Sequence, residues 1–108
     1  MTYELATSTS ISVSTELHDD QVLVTVKGEV DVSTSHDLVD ALDQYVHAGI
    51  RHFTIDMAEV TFMDSAGVRG LIHLATSRPS ITVLIANPAP MIRRLLAVTR
   101  LDDHLRVI

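Results

Sequence analysis

One serine stands where a strand pattern gives way to a helix pattern, within the run Phe62-Met63-Asp64-Ser65-Ala66-Gly67. Apolar and polar side chains alternate over residues 52–57, as in a strand, and apolar side chains recur at helical spacing over residues 68–75. The first N–H groups of a helix lack internal partners and carry partial positive charge, so they stabilise an anion. The chemistry that this position favours is attachment of a phosphate to the Ser65 hydroxyl.

The same residues also have a purely structural interpretation. Asp64 and Ser65 are both ordinary N-cap residues, and the sequence Asp-Ser-Ala-Gly taken alone is more often a helix cap than a functional site. Only the rest of the chain can decide between a cap and a phosphate acceptor.

Several other kinds of chemistry are excluded by residue type and spacing. The chain contains no cysteine, so disulfides, zinc–thiolate sites and cysteine nucleophiles are impossible. Its six histidines show no metal-ligand spacing, Ser65 lies in no Gly-x-Ser-x-Gly elbow, and no Gly-x-x-x-x-Gly-Lys loop is present. We therefore predict a protein that is not an enzyme and has no cofactor or metal, with a hydrolytic triad through Asp31 or Asp56 as the enzymatic alternative.

Length and the N-terminal sequence predict one domain. The 108 residues can bury a single two-layer core but not two cores. Residues 1–10 are rich in serine and threonine and predict a flexible lead-in, which leaves residues 11–108 for the domain. The N-terminus lacks a basic segment followed by an apolar one, and no apolar run approaches the length of a bilayer span. We expect a soluble, cytoplasmic protein with no membrane partner.

The charge of the chain is negative and unevenly distributed. Of the net charge of −6, residues 1–50 carry −8 and residues 51–108 carry +2. A nucleic-acid binder would show a basic stripe with interleaved aromatic residues, whereas this chain has two tyrosines, two phenylalanines and no tryptophan. We therefore exclude nucleic acid as a direct partner. The acidic half suits either a protein partner with basic contacts or solvent alone.

The first half of the chain predicts a hairpin followed by a helix. An edge strand near residues 11–14 and a second strand near residues 22–26 flank a short turn at His18-Asp19-Asp20. A helix is expected to start at residues 33–35 and to end after His47, with an apolar stripe on one face.

The second half predicts alternating strands and helices. The expected elements are a strand at residues 52–57, a helix from Asp64-Ser65 to about Thr76, a strand at 81–86, a helix at 91–98, and a short strand or helix turn at 105–108. The nearly uninterrupted apolar run at 81–86 is typical of a strand that is covered on both faces or lies centrally in a sheet. Because alternating strands and helices require right-handed crossovers, we predict an α/β fold, a mixed β-sheet of four to five strands with helices packed against it.

This order of elements, with three local signatures, resembles the STAS domain and within that family the stand-alone bacterial anti-sigma-factor antagonists. The resemblance covers essentially residues 10–108. Its specific signature is the Asp-Ser-small-Gly element that begins at Asp64, and residues 26–31 and 85–88 supply supporting signatures before two of the helices. The connection at residues 76–80 is shorter than family members usually have.

The resemblance implies a switch that operates by phosphorylation. In such antagonists the unmodified form binds an anti-sigma factor, which is an ATP-dependent serine kinase, so that the sigma factor is freed; phosphorylation reverses this. Here the modified residue would be Ser65, a serine phosphatase would remove the phosphate, and any ATP would belong to the kinase. The residues expected to contact the partner are Asp31, Asp64, Ser65, Ala66, Gly67 and Arg69.

A second function is open to STAS-like domains. They also occur in transporter tails and as soluble subunits of lipid-transport machines. The alternative is therefore an interaction subunit of a membrane transport or lipid-transport complex without a phosphorylation switch. The intact Asp64-Ser65 pair favours the antagonist.

Overall fold

The computed structural model describes residues 2–7, 10–98 and 105–108, and these residues form six strands and three helices. The strands are β1 (Thr2–Thr7), β2 (Ile11–His18), β3 (Gln21–Val30), β4 (His52–Met63), β5 (Thr82–Ala86) and β6 (Leu105–Val107). The helices are α1 (Ser35–His47), α2 (Ser65–Thr76) and α3 (Pro90–Ala97). No helix in this part of the chain combines the length and apolar character that a bilayer span requires.

The described strands form one mixed sheet whose spatial order follows the chain, from β1 to β6. β1, β2 and β3 pair antiparallel, whereas β3, β4, β5 and β6 pair parallel. Because successive right-handed crossovers run in one direction across the sheet, they place the connecting helices on one face. The predicted α/β fold, with helices packed against a mixed sheet, is confirmed.

The hydrophobic core lies between the helices and that face of the sheet. Along β5, Val83 and Ile85 are fully buried, while Thr82, Leu84 and Ala86 on the other face are only half-buried. β5 is therefore central, between β4 and β6, but it is not covered on both faces. The other large side chains that the core encloses include Leu38, Leu42, Phe53, Ile55, Met57, Leu71, Leu74 and Ile81.

The N-terminal segment differs from the prediction. β1 occupies Thr2–Thr7, within the expected flexible lead-in, and pairs antiparallel with β2. The described sheet consequently has six strands rather than four to five, and β2 is not an edge strand. The addition of a strand to a sheet edge uses backbone hydrogen bonds, which side-chain periodicity does not report.

The hairpin and the helices lie where the sequence predicts them. β2 and β3 are joined by a two-residue turn in which Asp19 has a φ of 54°, a positive φ of the kind that tight hairpin turns use at their first central residue. α1 ends at His47 and α2 at Thr76, as predicted. β4 extends to Met63, beyond its predicted end, because its second half pairs with β3 alone after a break in register near Lys27.

Candidate functional site

Two acidic residues meet at the carboxyl ends of neighbouring parallel strands. Val30 at the end of β3 and Met63 at the end of β4 are register partners. The residues that follow them, Asp31 and Asp64, therefore leave the sheet side by side, and the Asp64 N–H donates to the Val30 carbonyl oxygen at 3.3 Å. Both acids predicted for the site thus lie side by side at the carboxyl ends of β3 and β4.

Asp64 is the N-cap of α2. Its backbone is extended, with φ −117° and ψ −171°, and its Oδ1 accepts hydrogen bonds from the N–H groups of Ala66 at 2.9 Å and Gly67 at 3.2 Å. The next N–H, of Val68, donates to the Asp64 carbonyl oxygen at 3.1 Å. A carboxylate therefore already occupies two of the N–H donors that the sequence alone offers to an attached anion.

Ser65 is the first residue of α2, and its side chain is exposed. Its hydroxyl makes no hydrogen bond with any residue that the structure describes. Of the two residues that could have capped the helix, Asp64 does so and Ser65 does not. The Ser65 hydroxyl is consequently available at the surface for modification.

Asp31 organises the turn between β3 and α1. Its Oδ1 accepts hydrogen bonds from the Ser33 hydroxyl at 2.7 Å, the Ser33 N–H at 2.9 Å and the Thr34 N–H at 3.1 Å. These bonds, the Ser33 hydroxyl foremost, lower the pKa of Asp31 below its usual value. The carboxylate is thus held ionised and directed toward its own turn, and its hydrogen bonds do not reach Ser65.

Gly67 lets the first turn of α2 approach the end of β3. A Cβ at this position would lie 2.7 Å from the Val30 carbonyl oxygen and 2.9 Å from the Met63 Cγ atom. Any larger residue would push α2 away from the ends of β3 and β4, and Ser65 would move with the helix. Ala66 is half-buried next to Gly67, and its side chain adds only a methyl group beside Ser65.

Arg69 lies one turn after Ser65 on the exposed surface of α2. It lines a groove of about 340 Å³ between α1 and α2, to which Ala66 also contributes. Arg69 forms no ion pair with the described residues. The structure therefore brings Ala66 and Arg69 together in the groove and places Ser65 at the start of the same helix.

The groove also contains residues that sequence reasoning did not select. Val32 is 69% exposed although it is apolar, and it lies directly after Asp31. His36 of α1 and His73 of α2 line the same groove. The sequence did contain a signal for Val32, because it is an apolar residue within the polar run that follows β3. The two histidines had no such signal, since they come together only through the packing of α1 against α2.

Comparison with known proteins gives concordant results. Residues 12–108 match the family model described as the STAS domain. An anti-sigma-B factor antagonist of Staphylococcus epidermidis is 29% identical over 100 residues, which cover 91% of this chain and 93% of that protein.

Solved structures show the same fold. An anti-sigma factor antagonist from Mycobacterium paratuberculosis superposes with a TM-score of 0.79 at 27% identity, covering 91% of this chain and 85% of that one. The Bacillus cell fate determinant SpoIIAA in its phosphorylated form gives a TM-score of 0.71 at 17% identity, covering 89% and 90%. The family match over nearly the whole chain, together with this fold and its Asp64-Ser65 junction, shows that the chain belongs to the STAS domain family.

Proposed function

We propose that this chain is an anti-sigma-factor antagonist that is switched by phosphorylation of Ser65. In the unphosphorylated state it binds an anti-sigma factor that is also a serine kinase, and the sigma factor is thereby freed. Phosphorylation of Ser65 releases the partner, and a serine phosphatase restores the binding state. The proposal places the chain in the bacterial cytoplasm, where transcription takes place.

The observation that carries the proposal is the division of roles between Asp64 and Ser65. Because Asp64 caps α2, the fold does not need the serine, whose hydroxyl is exposed and makes no hydrogen bond with the described residues. The names of the relatives point in the same direction, since antagonists of anti-sigma factors recur among them. One structural neighbour has been determined in both phosphorylated and unphosphorylated forms.

The partner surface is proposed to surround this serine. Asp31, Asp64, Ala66 and Gly67 lie at the sheet edge or in the first turn of α2, and Arg69 lies one turn further along. A phosphate adds about −1.5 to −2 charge and three acceptor oxygens to this acidic edge. Like charge or a steric clash at a docked surface costs several kcal/mol, which corresponds to about a hundredfold or more in affinity.

The chain acts in this scheme as a binding protein and substrate rather than as an enzyme. The kinase binds the ATP and provides the catalytic groups, and the antagonist provides one accessible hydroxyl as the acceptor. No three His, Asp or Glu side chains among the described residues converge in a way that could hold a metal ion.

The test begins with the modification itself. The purified chain is incubated with ATP and each candidate kinase-type anti-sigma factor of the source organism, and the modified residue is identified by mass spectrometry. Ser65→Ala is expected to abolish incorporation. The matched control is Ser80→Ala, which removes another exposed serine hydroxyl outside the site and is expected to leave incorporation unchanged.

Binding is then measured with the same kinase-type anti-sigma factor. Ser65→Ala is expected to bind like the unmodified chain, and Ser65→Glu is expected to bind far more weakly. Phosphate at another residue, or equal affinity of the two variants, would refute the switch. Retention of the same membrane-transport or lipid-transport subunits by both variants, with no binding of an anti-sigma factor, would establish the alternative function.

A further inference from the structure

A phosphate on Ser65 would lie beside a carboxylate that already occupies the helix N-terminus. Asp64 Oδ1 accepts the N–H groups of Ala66 and Gly67, and the Val68 N–H is engaged by the Asp64 carbonyl oxygen. Helix N-termini favour anions through such donors, but here a side chain has taken the N–H groups of Ala66 and Gly67. The added phosphate therefore meets fewer open donors at the helix end and is exposed to repulsion from Asp64. A nearby cation would offset that repulsion.

Arg69 is the residue placed to supply that cation. It lies four residues after Ser65 in α2, and side chains at this spacing lie on one side of a helix with Cβ atoms about 5–6 Å apart. Its side chain is exposed and forms no ion pair with the described residues. A guanidinium side chain at this spacing is long enough to reach a phosphate at the first position of the helix.

Two of the described cations outside this groove have partners elsewhere. Lys27 lies 3.6 Å from Glu59 on β4. Arg51 donates to the Val46 and Ile50 carbonyl oxygens at the far end of α1. Within the groove beside Ser65, the histidines accompany Arg69, which alone among the groove residues has a permanently charged cationic side chain.

We propose that Arg69 pairs with the phosphoryl group of phosphorylated Ser65, and that phosphorylation thereby withdraws from the partner an exposed cation of this surface. A guanidinium can donate two parallel N–H bonds to phosphate oxygens, which neither lysine nor glutamine can reproduce. Phosphorylation then changes the partner surface twice, because it adds negative charge at Ser65 and neutralises the charge of Arg69. This inference rests on one part of the proposed function, namely that Ser65 carries a phosphate.

Other ionisable groups also lie around Ser65 and Arg69. Asp31 follows β3, Asp64 precedes α2, and the groove is lined by Asp40 and His36 of α1 and by His73 of α2. The carboxylates raise the second pKa of the phosphate, whereas Arg69 lowers it. A comparison between variants that differ only at Arg69 leaves all of these groups in place, so that the difference reports the arginine.

The test is a titration of phosphoserine that is placed at position 65 during translation, so that no kinase is required. Phosphorus-31 NMR follows the second pKa of the phosphate in the unaltered chain and in Arg69→Gln and Arg69→Lys. We expect Arg69→Gln to raise this pKa by about 0.4 unit, and Arg69→Lys to raise it by less. In the unaltered chain, the Arg69 Nε–H resonance is expected to shift when phosphoserine replaces serine.

The matched control is Arg78→Gln, which removes one positive charge from another exposed side chain beyond the far end of α2. An equal pKa shift in Arg69→Gln and Arg78→Gln, or an Arg69 resonance that does not respond to phosphoserine, would overturn the pairing. Failure of every candidate kinase to modify Ser65 would overturn the proposed function but would leave this titration interpretable. The two inferences can therefore fail separately.

Discussion

Asp64 Oδ1 lies 2.9 Å from the backbone nitrogen of Ala66, and this hydrogen bond makes Asp64 the N-cap of α2. The adjacent Ser65 is therefore spared any role in helix capping. Stabilisation of the fold and modification of the surface are assigned to neighbouring but different residues. Mutations at the two positions should accordingly have separable effects on stability and on switching.

The first prediction concerns the cap. Asp64→Ala should lower the free energy of unfolding by about 1 kcal/mol, because it leaves the Ala66 and Gly67 N–H groups without the carboxylate. Asp64→Asn keeps a side-chain acceptor and should lose less. Ser65→Ala should change stability by no more than about 0.5 kcal/mol. Urea unfolding followed by circular dichroism measures all three, and an equal loss for Ser65→Ala and Asp64→Ala would show that the serine also supports the helix.

The second prediction concerns the close approach of α2 to β3. Alanine normally stabilises a helix relative to glycine by about 1 kcal/mol. Gly67→Ala should nevertheless destabilise the protein by about 1–3 kcal/mol, since the new Cβ would meet the backbone oxygen of Val30 at 2.7 Å.

Gly70→Ala is the matched control for this prediction. Its Cβ would lie 3.1 Å from the Val39 Cγ2 atom, which belongs to a side chain that can adjust, so the loss should be smaller. Thermal or urea unfolding of the two variants gives the comparison. Equal stability of Gly67→Ala and the unaltered chain would disprove the constraint at Val30.

The third prediction concerns the pH dependence of stability. Because hydrogen bonds from Ser33 and Thr34 lower the pKa of Asp31 in the folded state, this carboxylate stabilises the fold above its ordinary pKa of 3.8. That stabilisation is lost as the pH falls through the lower, folded-state pKa. In Asp31→Asn, the free energy of unfolding should therefore fall less steeply below about pH 4.

Carbon-13 NMR of the Asp31 carboxyl group checks the cause of this shift. Ser33→Ala removes the hydroxyl that contributes most, so the pKa of Asp31 should move up toward 3.8 in that variant. An Asp31 carboxyl group that titrates at or above 3.8 in the unaltered chain would contradict the turn geometry.

The fourth prediction is that phosphorylation acts locally. Since Ser65 is exposed and its hydroxyl makes no hydrogen bond with the described residues, phosphoserine at this position should leave the core intact. Changes in backbone amide chemical shifts should be confined to the first turns of α2, the neighbouring turn at Asp31 and the α1–α2 groove. Large changes in β1, which lies three strands away from β4 in the sheet, would indicate a refolding switch instead.

Local sequence patterns were enough to locate most helices and strands of this protein. Apolar periodicity located α1, α2, α3 and the central strands, because those patterns depend on which side chains face one common core. The residue types at Asp64 and Ser65 identified the strand-to-helix junction, since caps and small residues are local requirements. Resemblance to a family at this junction then predicted the STAS fold, which the family match confirms.

How these elements form a site follows from packing between segments that are far apart in the chain. The register of Val30 with Met63 places Asp31 beside Asp64, and the path of the backbone makes Asp64 rather than Ser65 the cap. The pairing of β1 and the groove beneath Arg69 likewise depend on packing between distant segments. Such contacts join residues far apart in the chain, so they stabilise the protein only once the fold has assembled. They produce no periodic pattern in the sequence from which they could be predicted.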